Sequence, residues 1–559
     1  MENAIEHGGV SRRTFLKGMA LGGVAAASAA TLNACAPAAK GDSGASADGQ
    51  AAAGEPSFMT PPEPVADADI GSTKETDVLI IGAGIAGCVT AASCIENGLS
   101  VMLIDKLKQP RYIGIDFGFP YSKVMREEGI EPVDPYVLAR DFIMKSGHRT
   151  SDAVVYRYMT RGEEAADWFV DKVAAWGFHP SVMGYRGKDD FYPNHANVIR
   201  FLDETNEKPE EYYGIMKAFL ENFGREVVDS GNEYLLETNA VQLDQAEDGS
   251  ITGAVCRAQD GSYFRVNAAK GVVLCTGDYG ADEEMFLTYS EWKPEDIDCN
   301  ESTGLGEGHK MGLWVGAQMQ RAPHPMMLFH DAHVYHYLRV NKHGQRYVNE
   351  DAGYCGSCVA QLRQPEHLSW AIFDGKWKEE IPASLEFGGG MAWDQGWRSI
   401  HDPWTPEVEE EVFEYEKEEG YWYESDTIEG LADELGFAGQ DKQTFIETVA
   451  RYNELVEKGV DEDFGKRPEL LKLSALTTPP FVAKKMITDI GVSTGGLMTD
   501  ADMRILDNEG MAIPGLFGVG TVTGSMFGVD YNEMTIPGVS LGRNVTFGWL
   551  LGRHLAEAR

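Results

Sequence analysis

Val78-Leu79-Ile80-Ile81 is an unbroken apolar run, the pattern of a parallel strand buried on both faces. Glycines follow at 82, 84 and 87, and a helix is expected from about Ala86. A second apolar strand ends at Asp105. A third, Gly271 to Cys275, runs into Thr276-Gly277-Asp278, and a fourth lies within MAIPGLFGVG (511–520), followed by Thr521. Near the start, Gly18 to Ala34 carry no charge and follow Ser11-Arg12-Arg13-Thr14-Phe15-Leu16-Lys17. Residues 36 to about 73 are rich in Ala, Gly, Pro, Ser and Asp, which predicts a flexible linker. No later stretch is apolar over the ~18 residues a membrane span needs. Glu407 to Glu429 mixes acids with aromatic residues and reads as an amphipathic surface element.

Composition narrows this picture. The 559 residues are enough for two or more domains. A net charge of −40 repels phosphate backbones and anionic lipids, so nucleic acid is excluded as a partner. The eight cysteines are scattered and form no disulfide framework. Cys88, Cys94 and Cys275 sit in apolar contexts as small core residues. Cys355-Gly-Ser-Cys358 reads as a pair of thiols or a short disulfide. His330, His333 and His336 are closely spaced, but no acid or cysteine set completes a metal site, and none is expected.

The leader has a basic start and an uncharged core, the parts of a secretory signal. Its paired arginines resemble the twin-arginine signal, which carries folded proteins. Residues 1–34 are read as that signal and 35–73 as the linker. Leu32-Asn33-Ala34-Cys35 resembles a lipoprotein cleavage box, which would leave a lipid anchor at Cys35. The expected location is extracytoplasmic and membrane-anchored.

The first strand, Gly82-x-Gly84-x-x-Gly87 and the helix form a βαβ entrance that holds a pyrophosphate on backbone N–H groups. Asp105 lies at the spacing expected of an acid that binds a ribose hydroxyl. These residues predict a bound dinucleotide.

The closing segment 511–520 with Thr521-Val522-Thr523-Gly524 resembles that of flavoproteins of the fumarate reductase and 3-ketosteroid dehydrogenase superfamily. Thr276-Gly277-Asp278 resembles the same proteins' "ATGG" turn, and Asn341 to Glu350 (NKHGQRYVNE) their "NKxGxRFxNE". Gly304 to Met311, Asp426 to Ala432 and Arg451 to Gly465 add further likeness. One departure is Arg111-Tyr112-Ile113-Gly114, where the family has a Gly-Gly-rich turn. The resemblance spans about residues 74–559. It implies an α/β fold, a Rossmann-like FAD-binding domain (74–322 and 492–559) with an inserted α+β capping domain (323–491). The dinucleotide is then FAD, held without a covalent link by Gly82, Gly84, Gly87, Asp105, Thr276, Gly277, Gly520, Thr521, Ser540 and Leu541.

The resemblance also implies chemistry on a C=C bond. His324-Pro325 matches the family's "HP" pair, making His324 a candidate carbonyl ligand. The proton-donor arginine's position holds Tyr354. A phenol with a pKa of ~10 is a competent acid toward a carbanion. The carboxylate-binding arginine of "NRLGGNA" is missing, and Tyr531 is the candidate in its place. Ser493 to Leu497 replaces "HHTMGG". These departures point away from fumarate and toward an enone, an enoate or an aromatic acid. The expected function is an exported reductase of such small-molecule acceptors in anaerobic respiration. Its donor would be a membrane-linked cytochrome or quinol-derived partner. A desaturating dehydrogenase of the ketosteroid type is the alternative, and a non-catalytic flavin-retaining lipoprotein a further one.

Overall fold

The computed structural model describes residues 56–557, apart from 185–196, 204–212, 294–296, 298–301, 330–335, 352–353, 386, 388–404, 530 and 532–534. Arg12, Arg13, Cys35, His330 and His333 therefore lie outside the described residues, as do the side chains of Tyr354 and Cys355.

The elements that frame the site are the strands β1 (Ile70–Ile81), β2 (Val101–Ile104), β3 (Tyr263–Leu274), β4 (Met326–Phe329), β5 (Asp489–Ser493) and β6 (Ala512–Gly518), and the helices α1 (Ile85–Glu96), α2 (Glu307–Trp314) and α3 (Val539–Glu557). The apolar runs become the middle of one sheet, in the order Arg504–Leu506, β6, β3, β1, β2, Glu233–Leu235. From β6 onward the pairs are parallel, with Ile81 beside both Ile104 and Leu274, and Gly518 beside Leu274. Val78, Leu79, Ile80, Val272, Val273 and Leu274 are fully buried. Each such side chain contributes about 1.5–3 kcal/mol. β6 thus returns, more than 200 residues later, to the side of β3 and completes one wall.

α1 and α3 pack on one face of this sheet. Glycine permits the contact: a Cβ at Gly552 would lie 2.5 Å from Ser93 Oγ. Ser93 Oγ in turn donates to the carbonyl of Trp549 at 2.7 Å. Cys88, Cys94, Cys256 and Cys275 are buried free thiols, and burial raises the pKa of each. Cys358 is also buried.

The stretch expected as a flexible linker begins to pack at Pro56. Phe58 is buried against Tyr279 and Met285, and its carbonyl accepts from Trp314 Nε1 at 2.9 Å. Ile70 to Thr76 extend β1 along β3. An apolar anchor and a row of strand hydrogen bonds override the composition.

Between β4 and β5 the chain builds a separate, inserted antiparallel sheet, ordered Leu338–Asn341, Ser369–Phe373, Phe481–Lys485, Trp422–Ser425. Its own core joins Leu338, Val340, Trp370 and Ile372 to Phe445 and Val449 of the helix Gly439–Lys458. β4 and β5 pair with each other, Met326 beside Ser493 and Phe329 beside Asp489. The inserted sheet is therefore entered and left through one antiparallel pair. Within it, buried Glu350 accepts from Arg346 at 2.7 and 2.8 Å, and Arg346 also donates to Asp461. Fully buried Lys466 lies 3.8 Å from Glu350, and burial lowers its pKa to about 8. Phe413, in the acidic segment, is buried rather than exposed, packed against Trp422 and Phe373. No helix among the described residues is long and apolar enough to cross a membrane.

Candidate active site

A cavity of about 480 Å³ opens along the carboxyl ends of β1, β2, β3 and β6. This is where open parallel sheets bind ligands. Gly82 has φ of +105°, and a Cβ there would lie 2.3 Å from the carbonyl oxygen of Cys275. Gly84 is the N-cap of α1, and no side chain caps that helix. Its first N–H groups and positive dipole end are left for an anion. Gly87 does not line the cavity. Its missing Cβ would sit 1.9 Å from the Gly82 carbonyl oxygen, so Gly87 lets α1 approach the turn.

Asp105 lines the cavity and also holds the turn. Its Oδ2 accepts from Ala83 N and its Oδ1 from Leu107 N, each at 2.8 Å. Burial raises its pKa, and these two N–H groups oppose that rise. Thr276, Gly277, Gly520, Thr521, Ser540 and Leu541 also line the cavity. All the sequence-predicted cofactor residues but Gly87 thus share one wall, although they span more than 450 positions.

Sequence reasoning missed several liners. Lys106 and Glu307 form an ion pair at the rim, and Arg111 and Ile113 occupy the departure from the glycine-rich turn. Asp278, quoted only as part of a turn, lines the cavity and accepts from Ser302 Oγ and, at 3.1 Å, from Ser493 N. It ties the end of β3 to the strand pair that carries the inserted sheet. Its burial raises its pKa. Only its place beside Thr276-Gly277 hinted at this.

Of the three catalytic candidates, the side chains of His324 and Tyr531 are described, and neither lines the cavity. His324 is 3% exposed, and both ring nitrogens are engaged. Nε2 donates to the Gln320 carbonyl at 2.8 Å, and Nδ1 accepts from Tyr279 Oη at 2.7 Å. Its ring stacks on Tyr289 at 4.7 Å. Burial lowers its pKa to about 4, so it is neutral with one tautomer. Here His324 is a packed link between the end of β3 and β4, outside the cavity wall. A carbonyl ligand needs a free N–H, and neither nitrogen has one to spare. Tyr531 is 3% exposed, and its Oη accepts from Ser540 N at 3.0 Å. It stands one layer behind the wall. Tyr354 opens the helix Tyr354–Leu362, but its side chain lies outside the described residues. Among the described residues no group of three His, Cys, Asp or Glu is placed to hold a metal ion.

The fit to a dinucleotide follows from the donors. Thr276 Oγ1 and Asn544 Oδ1, both on residues lining the cavity, are buried without partners. Such groups are stabilised once a polar ligand supplies the missing hydrogen bonds. The glycine turn and the uncapped α1 suit a pyrophosphate, and the closing β6–α3 wall suits a second, ring-bearing half. A family model described as an FAD binding domain matches residues 77–533. The chain belongs to that FAD-binding family. Within it, this flavoprotein is an FAD-dependent oxidoreductase of the fumarate reductase and ketosteroid dehydrogenase superfamily. It is 25% identical to a probable fumarate reductase of Shewanella frigidimarina, over 87% of this chain and 76% of that one. It is 24% identical to a vinyl phenol reductase of Lactiplantibacillus plantarum, over 86% and 96%. Its fold is similar to that of 3-ketosteroid delta1-dehydrogenase from Sterolibacterium denitrificans, with a TM-score of 0.66, 17% identity and coverage of 87% and 100%.

Proposed function

We propose that this flavoprotein is an exported reductase that saturates an activated C=C bond of a small acceptor. The observation that carries this reading is the placement of the cavity. One end is built for the nucleotide, at Asp105 and the glycine turn. The other end, at Asp278, Val492 and Ser540, meets the β4–β5 pair on which the inserted sheet hangs. An acceptor lying between the two units is shielded from water. The relatives named above as a fumarate reductase and a vinyl phenol reductase support an alkene acceptor.

FAD, when bound, supplies hydride transfer to or from carbon. The protein's own part is to position the acceptor and move a proton. Tyr354 is the proposed proton donor, delivering from its phenolic oxygen to the carbon beside the one reduced. The N-terminus of α3 faces the cavity at Ser540 and Leu541, and its dipole favours negative charge there. Tyr531 holds Ser540 N and so fixes where that end lies. His324 positions Tyr279 rather than touching the acceptor.

Residues Ser11 to Lys17 support export by the twin-arginine route, which would separate the enzyme from cytoplasmic nicotinamide. Electrons would then come from a membrane-linked cytochrome or quinol-derived donor. The reading is tested by offering a panel of enones, enoates and aromatic acids with reduced viologen as donor. Oxidation of viologen that depends on the alkene supports it. Flavin bleaching by the saturated compounds alone would replace it with a desaturating dehydrogenase.

A further inference from the structure

Between Pro56 and Asp69 only Phe58 is buried, and the residues around it are exposed or half-exposed. A segment held by one apolar anchor can leave its seat without unfolding the sheet. Its ties are nonetheless specific. Ser57 N and Ser57 Oγ both donate to the Glu284 carboxylate, the backbone bond at 2.7 Å. Trp314 Nε1, the last residue of α2, donates to the Phe58 carbonyl at 2.9 Å. The segment thus clasps two helices, Glu283–Tyr289 and α2. Pro56, Pro61, Pro62 and Pro64 bracket it and reduce the chain entropy lost on docking.

Two routes lead from Phe58 to the site. The first passes through Tyr289, whose ring lies 5.9 Å from that of Phe58 and 4.7 Å, nearly parallel, from that of His324. The Tyr289 carbonyl also accepts from His324 N at 2.7 Å. Just beyond His324 the chain enters β4, half of the strand pair that carries the inserted sheet. The second route passes through Met285, which packs on Phe58. A Cβ at Gly306, the N-cap of α2, would lie 2.4 Å from Met285 Sδ. Leu305 and Glu307, on either side of Gly306, line the cavity. Phe58 therefore stands behind both the foot of the inserted sheet and one cavity wall.

We infer that Ser57–Met59 is a strap that sets the foot of the inserted sheet, and that Phe58 is a positioning residue for the acceptor, acting through Tyr289 and His324. The part that concerns the acceptor rests on the reductase reading, which places it between the two units. With the strap seated, Tyr289 is held, and His324 and β4 are held with it. With the strap released, fewer molecules carry the foot in its binding-competent place. Acceptor affinity falls by that fraction. The groups that deliver hydride and proton are untouched, so turnover at saturation is kept.

The test combines a local readout with kinetics. Amide hydrogen exchange of oxidised holoenzyme is followed by mass spectrometry in wild type and F58A. Peptides spanning residues 320–329 and 489–493 should exchange at least about tenfold faster in F58A, while those of α1 keep their rate. With reduced viologen as donor, KM for cinnamate, or for whichever enoate or enone is reduced, should rise at least about fivefold, with kcat within about twofold. F58L should restore most of both. Exchange that quickens equally in α1 makes Phe58 a core residue and nothing more, and overturns the inference. Unchanged exchange at the foot overturns it, as does an unchanged KM. If F58A does not fold, E284A decides by the same peptides, because it cuts the strap's tie outside the core. If no enoate or enone is reduced while the foot still loosens, the reductase reading fails and the strap stands. Reduction with foot and KM both unmoved in F58A would do the reverse.

Discussion

At the scale of the residue, the two tyrosines and the histidine singled out for chemistry divide into different roles. Replacing Tyr354 by Phe removes the proposed acid. Turnover should fall by about 10²–10⁴-fold with FAD content unchanged. Steady-state rates beside the flavin absorbance check this, and an unchanged rate removes Tyr354 from the mechanism. His324 makes a prediction of another kind. Its folded pKa of about 4 lies below the ordinary 6.5 because it is buried. The unfolded chain therefore binds a proton that the folded chain refuses. The stability this group contributes is complete above about pH 6.5 and is lost as pH falls toward 4. Between pH 7 and pH 5 that amounts to about 2 kcal/mol. Urea unfolding of wild type and H324Q at both pH values should show the variant losing less. The histidine was legible in the sequence, but its surroundings were not. Nothing in His324-Pro325 reveals that Tyr279 and Gln320 take up both nitrogens: Tyr279 comes from a segment 45 positions away, and the Gln320 carbonyl, four positions back, meets the ring only through the local fold of the backbone.

At the scale of the element, the glycine turn is where the sequence was most informative. A strand, three spaced glycines and a helix leave few ways to fold. The structure adds why each glycine is needed. A Cβ at Gly87 meets a carbonyl oxygen at 1.9 Å, so G87A must push α1 off the turn. Purified G87A should carry little or no FAD, read as flavin absorbance per protein. Full occupancy would contradict the packing described here. The inserted sheet behaves differently. Its motif NKHGQRYVNE was legible, yet the partners of Arg346 and Glu350 are Asp461 and Lys466, more than 100 residues on. Glu350→Gln leaves Lys466 without its nearest negative charge inside a dry core. The urea midpoint should fall by an amount equivalent to about 3 kcal/mol. Residues 56–73 show the limit of composition, since one buried Phe58 and a strand register outweigh a linker-like sequence.

At the scale of the whole molecule, the walls of the cavity come from segments around residues 82, 105, 276, 520 and 540. Their shared wall was legible only through the likeness to known flavoproteins. Spacing cannot show that β6 returns beside β3. Net charge carries a separate expectation. With −40 on the chain, a basic electron donor is steered toward it, and salt screens that attraction. The bimolecular rate with such a donor should fall at least about tenfold between about 0.01 and about 0.15 M salt. A flat profile removes steering from the account. The central claim concerns the direction and class of the reaction, and one measurement addresses it most directly. Dithionite-reduced holoenzyme is mixed without oxygen with cinnamate or with 3-phenylpropanoate, and flavin absorbance is followed. The flavin should reoxidise with cinnamate and stay reduced with 3-phenylpropanoate. No reoxidation by cinnamate, or by any other enoate or enone in its place, would contradict the account.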